Sequence, residues 1–209
     1  MSDVIVLSKV RIAFPHIKEP QTAKESGRIM YNAVFIVAPD DAGYTQFMQK
    51  VGEIALAKWK EKTPDVMNII NADATKRCYA DGNTKINQTT FKVYDGYAGN
   101  VVISANNKNA PQLFDANGKQ VDPNNTMTYK EEAGKIYRGC YVNVVLKPWV
   151  QQNVHGVGIR CDLVAIQFAA DGELFGGSAE PDVSGSFGAV AVPAAPVAAP
   201  AGLPAFMLS

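Results

Sequence analysis

Lysine and arginine are missing from Asp171 to Ser209, yet the chain carries 20 of them, all between Lys9 and Arg160. The formal charge of zero therefore hides a split. Residues 1–170 hold 20 basic against 16 acidic groups, and the remainder holds only Asp171, Glu173, Glu180 and Asp182. A basic body with a weakly anionic end points to a polyanionic partner. Histidine is almost absent as well. His16 and His155 stand alone, neither beside a nucleophile, which leaves general acid–base catalysis few candidates. The 3 cysteines, Cys78, Cys140 and Cys161, are odd in number and lack the CxxC or HxxxH spacing of a zinc chelate. They read as reduced, strand-buried thiols of a cytosolic protein. No segment reaches the roughly 18 apolar residues of a membrane helix. The opening MSDVIVLSKV puts Asp3 before its apolar run, with no basic region, so no secretory signal is expected.

Catalytic signatures are equally absent. There is no GxxxxGK[ST], HExxH or GxSxG, and Gly156-Val-Gly158 lacks the third glycine of a dinucleotide loop. Asp115-Ala-Asn117-Gly118 has the look of a hairpin turn, since no later glutamate completes a calcium loop. A metal-dependent nuclease would need paired carboxylates, and Asp81, Asp95 and Asp162 are isolated. No catalytic residue, metal or cofactor is expected, and the chain reads as a binding protein.

What is present is mostly β. Alternation over residues 3–14 predicts a strand with Val4, Val6, Val10, Ile12 and Phe14 on one face, ended by Pro15 and followed by a polar loop to residue 28. Met30–Val37 is a second strand. Pro39-Asp40-Asp41 opens a helix to about Lys62, with Tyr44, Phe47, Met48, Val51, Ile54, Ala55 and Trp59 in its apolar stripe, and a short helix can follow over Asp65–Asn71. Further strands are expected at Lys76–Ala80, Gly99–Ala105, Gln112–Phe114, Tyr137–Lys147 and Val157–Phe168. A run of strands around one early helix predicts an antiparallel sheet or small barrel over residues 1–175. From residue 176 to 209 the Gly/Ala/Pro-rich composition predicts a flexible tail with an apolar tip, Leu203 to Leu208.

Aromatic and basic residues interleave in this β region. Along Tyr137–Lys147, Cys140, Val142, Val144 and Leu146 face a core. Tyr137, Tyr141, Asn143 and Lys147 face outward, with Trp149 just beyond. A second cluster runs Lys76, Arg77, Tyr79, Lys85, Phe91, Lys92, Tyr94 and Tyr97, and Arg160 is a third candidate on a polar strand face. Rings beside cations suit single-stranded nucleic acid, whose bases stack while phosphates are neutralised. The expected contacts are phosphates on Lys76, Arg77, Lys85, Lys92, Lys147 and Arg160, and bases on Tyr79, Tyr94, Tyr141 and Trp149. The competing interpretation is a virion structural or scaffolding protein that self-assembles through the aromatic face and the apolar tail tip.

Five ordered segments carry a resemblance to a known family: VRIAFPHIKEP (Val10–Pro20), YNAVFIVAPDD (Tyr31–Asp41), RCYADGNTK (Arg77–Lys85), GNVVISANNKNAPQLFD (Gly99–Asp115) and Arg138–Gly177. Over residues 1–177 the chain resembles the single-stranded-DNA-binding proteins of tailed phages, long catalogued as a domain of unknown function. The resemblance implies an OB-fold-like β-barrel with an inserted helix. It further implies binding to single strands regardless of sequence, in phage replication, recombination or repair within the host cytoplasm, with no catalytic residue. Replication or recombination proteins docking on the tail, and a homodimer, are further partners to test for. Related replication proteins end in a strongly acidic tail with a terminal aromatic residue. Here the four acids lie near the tail's start and Phe206 is followed by Met207, Leu208 and Ser209, so tail-mediated recruitment does not follow from the pattern.

Overall fold

The structure is a computed structural model that describes residues 3–22 and 27–176. The expected tail lies outside these residues from 177 onward, with Glu180, Asp182 and its apolar tip, as do residues 23–26 of the expected polar loop. Five strands form the body: β1 (Ile5–Thr22), β2 (Ile29–Val37), β4 (Val101–Asn107), β6 (Tyr141–Asn153) and β7 (Gly156–Ala170). Short strands β3 (Tyr79–Asp81) and β5 (Gln112–Phe114) extend the sheet, whose order is β3-β4-β2-β1-β6-β7-β5. Antiparallel pairs β2–β1, β1–β6, β6–β7 and β2–β4 run around the molecule, and a parallel contact of Asn106 with Asp162 joins β4 to β7. That contact closes a five-stranded barrel of OB type.

Period-two burial explains the closure. Leu7, Val10 and Ile12 on β1, Ala33, Phe35 and Val37 on β2, Ile103 and Ala105 on β4, Val142, Val144 and Leu146 on β6, and Ile159, Cys161 and Leu163 on β7 all point into one core. The 3 cysteines are free and buried. Helix α1 (Ala42–Trp59) packs Phe47, Val51, Ala55 and Trp59 against that core, on β1 and β6. Asp41 starts it by accepting hydrogen bonds from the Gly43 and Tyr44 amides at 2.7 and 3.1 Å. A 3₁₀ turn over Lys60–Lys62 leads into α2 (Thr63–Ala72), so Pro64 sits in the first turn of a helix, where its missing N–H costs nothing.

Three expectations are corrected. β1 does not end at Pro15 but continues to Thr22, because bulges on either side of His16 accommodate a residue with no amide to give the ladder. A further irregularity lies between Leu7 and Val10, where Lys9 takes a positive φ of 53° and its amide donates to Asn143 Oδ1 instead of a strand. Residues before and after it therefore keep different parity: Leu7 is inside, and Val6 is 53% exposed. Finally, α3 (Thr126–Gly134) occupies a stretch with no expected element. It hangs on Tyr129 and Ala133, one turn apart, and the Tyr129 hydroxyl donates to the Pro111 carbonyl at 3.0 Å.

Candidate nucleic-acid interface

Outward-facing Ala13, Val34, Ile36 and Val102 make a second, smaller apolar face on β1, β2 and β4. The segment between β3 and β4 folds back over it, burying Tyr97 and packing Val93 and Tyr94 there. Residues 85–94 form a small hairpin: Ile86 bridges Val93, the Tyr94 amide donates to the Lys85 carbonyl at 3.1 Å, and the Asn87 amide donates to the Lys92 carbonyl at 2.8 Å. At its tip Phe91 has a φ of 55° and is 81% exposed. Phe14, turned outward at the β1 bulge with a φ of 48°, meets Tyr94 edge to face at 5.3 Å, and Tyr94 lies 5.5 Å from Tyr97. Between them opens a groove of about 520 Å³ whose wall includes Phe14, Lys92, Tyr94, Arg138 and Phe175. Burial pushes the Tyr97 hydroxyl pKa above its ordinary value, with neighbouring Tyr94 adding to the shift.

The far wall is the irregular segment after β7. Arg11 holds it, donating from Nη2 to the Glu173 carbonyl at 2.6 Å and from Nε to the Gly139 carbonyl at 3.1 Å. The Arg11 guanidinium stacks 4.1 Å from the Phe175 ring and 5.7 Å from that of Tyr141. Asp95 accepts from the Gly176 amide at 2.9 Å. Two glycines permit this closeness: a Cβ on Gly139 (φ +99°) would lie 2.1 Å from the Glu173 carbonyl oxygen, and one on Gly96 (φ +76°) 2.6 Å from the Phe175 ring.

The ten expected contact residues do not share one channel. Lys92 and Tyr94 line the groove, Lys85 anchors the base of its hairpin through the backbone, and Tyr141 lies beside it through Arg11. Lys147, Trp149, Arg160 and Lys76 belong to a separate patch. The Trp149 indole donates to Asp162 Oδ1 at 2.8 Å, and Arg160 donates to Gln151 Oε1 at 2.9 Å and to the Thr75 carbonyl at 2.7 Å. Lys76 pairs with Asp73 at 3.5 Å. Tyr79 is a correction: it is 6% exposed in the core, and its hydroxyl donates to Asn71 at 3.1 Å, so it offers no face to a base. Arg77 is half-buried with its guanidinium 5.7 Å from the Tyr79 ring and its Nε buried without a partner.

Phe14, Arg138 and Phe175 on the groove wall, and Arg11 behind it, are not among the expected contact residues. Alternation groups Phe14 on one face with Val10 and Ile12, which are buried, and only the Phe-Pro pair inside a strand signals the bulge that turns it outward. Asp81, Asp95 and Asp162 are apart in function: Asp81 caps the turn at Asn83, Asp95 holds Gly176 and Asp162 holds Trp149. Among the described residues no cluster of three or more histidine, cysteine or acidic side chains could hold a metal, and no helix is long and apolar enough to cross a membrane.

Known proteins share this architecture. The family described as "Enterobacter phage Enc34, ssDNA-binding protein" matches residues 3–192. A "Putative protein p50" of Acyrthosiphon pisum secondary endosymbiont phage 1 is 31% identical over 175 residues, 83% of this chain and 86% of that one. The solved single-stranded DNA-binding protein of bacteriophage Enc34 in complex with ssDNA has a TM-score of 0.62 at 22% identity, over 83% of this chain and 90% of that one. Its C-terminally truncated form gives 0.61 at 23%, over 83% and 89%. At such identity these two structures establish the shared fold.

Proposed function

Because the chain belongs to the family of the Enterobacter phage Enc34 ssDNA-binding protein, we propose that it coats single-stranded DNA without regard to sequence and that the groove beside Tyr94 is the primary grip. The observation that carries this is the meeting of Phe14 and Tyr94 with Lys92 and Arg138 around one open groove, with the exposed ring of Phe91 at the tip of the hairpin that borders it. In OB barrels oligonucleotides lie on the face of the second and third strands, here β2 and β4. The 82–100 segment covers part of that face and carries its own rings. Bases stack on Phe14, Phe91 and Tyr94 at about 1–3 kcal/mol each, and Lys92, Arg138 and Arg11 follow the phosphates. A neighbour solved in complex with ssDNA supports single-strand binding as such. The role follows as protection of single strands during phage replication, recombination or repair in the host cytoplasm.

Fluorescence anisotropy with poly-dT and a matched duplex tests it. Single strands bind more tightly, because duplex bases are hidden from the rings. Three neutralised phosphates predict a log–log salt slope near −2, at about 0.7 per phosphate for single strands. Equal affinity for both forms, or binding indifferent to salt, contradicts the assignment.

A further inference from the structure

A second groove, about 390 Å³, runs between α1 and β6 and is lined by Lys50, Ile54, Lys58, Lys147, Pro148 and Trp149. Trp149 is 39% exposed, and its N–H is already committed to Asp162, so what remains free is its ring face. Lys50 is matched by Glu53 at 3.2 Å and Asp3 at 3.9 Å. Among the described residues Lys58 and Lys147 form no ion pair, and Arg160 opposite Trp149 bonds only neutral groups. The patch is thus a ring face with Lys58, Lys147 and Arg160 around it, offset in part by the Asp162 bonded to the indole and by Asp3 on the groove wall, and it joins a ring to cations as the first groove does. One strand connects the two. Tyr141, beside Arg11, starts the outward row of β6, and Asn143, Val145, Lys147 and Trp149 continue it. At about 3.4 Å per residue, Tyr141 and Trp149 lie roughly 27 Å apart along the strand, a stretch beyond the first groove that a long oligonucleotide has the length to cover.

The geometry points to a second contact for the same DNA: a strand leaving the Tyr94 groove runs along the outward face of β6 and stacks on Trp149, with Lys58 and Lys147 on its phosphates. This rests on the first groove being the primary grip. Fluorescein-labelled dT6 and dT20 are titrated against the full chain and its Trp149→Ala, Lys147→Glu and Tyr94→Ala variants. Trp149→Ala weakens dT20 at least about fivefold, the effect of one stacked base, Lys147→Glu weakens it through the lost phosphate contact, and both leave dT6 within twofold. Tyr94→Ala weakens both. Tryptophan emission gives an independent readout, since Trp59, the other of the 2 tryptophans, is buried: dT20 quenches it, dT6 does not, and Trp149→Phe removes the quenching. Unchanged dT20 affinity with unquenched emission overturns the second contact alone. Weakening of both lengths by Trp149→Ala, with indifference to Tyr94→Ala, overturns the primary-grip assignment and the two-contact arrangement with it.

Discussion

The Tyr94 groove and the Trp149 groove carry similar side chains on different supports. In the second, Lys147 and Trp149 stand on a regular strand whose ladder partners are Asp162 and Arg160. In the first, the rings come from a strand bulge, from a hairpin in a segment with little regular structure, and from a wall tied down by Arg11. A ring on a strand is placed by the barrel core. A ring on a draped segment is placed by a small apolar cluster and a few hydrogen bonds, and it can be lost while the barrel survives.

The sharpest contrast is between the two cores. Phe35→Ala in the barrel removes a large buried ring, with an expected loss of about 3–5 kcal/mol in denaturant unfolding, whereas Tyr97→Ala beneath the hairpin lowers barrel stability less, because the segment it seats detaches first. The folded fraction of Phe35→Ala keeps its affinity for short dT, whereas Tyr97→Ala loses it, because the hairpin is no longer seated. Equal affinity in both would break the distinction. Arg11→Ala comes next. It removes two charge-assisted bonds of about 1.5–3 kcal/mol each at most, and exposure of the site to water reduces this. Proteolysis after residue 170 should accelerate and dT6 affinity fall, while Trp149 emission on dT20 still responds. A variant with unaltered cleavage shows that Arg11 does not hold the wall.

The smallest expected effect is at high pH. Burial raises the hydroxyl pKa of Tyr79, Tyr97 and Tyr129, that of Tyr129 to about 12. A pKa higher in the folded than in the unfolded chain favours folding fully below pH 10, and that contribution is lost as pH rises from 10 through about 12. Thermal melts are therefore insensitive to these groups up to pH 9.5 and decline above 10. A decline starting near pH 8 would assign alkaline sensitivity to other groups.

The barrel was legible because its signal is local. Alternation in Tyr141–Lys147 separates Val142, Val144 and Leu146 from Tyr141, Asn143 and Lys147 without reference to any other strand, and the structure keeps that division. Within β1 the same rule failed at Lys9 and Phe14, since a bulge reverses parity and nothing in the alternation marks it. Helix α3 was hidden for a related reason: only Tyr129 and Ala133 face inward, too few for a periodic stripe. In the groove, Lys92 and Tyr94 could be selected by composition. Arg11, Phe14, Arg138 and Phe175 come together only through folding, with the Arg11 bond to Glu173 spanning 162 positions.

The most direct test of where bases stack is photocross-linking of 5-iodouracil-substituted dT6 to the full chain, with the attached residues mapped by mass spectrometry. Cross-links on Phe14, Phe91 and Tyr94 are predicted. Cross-links confined to Trp149, or lying wholly outside Phe14 and the 82–100 segment, would contradict the Tyr94 groove as the primary grip on single-stranded DNA.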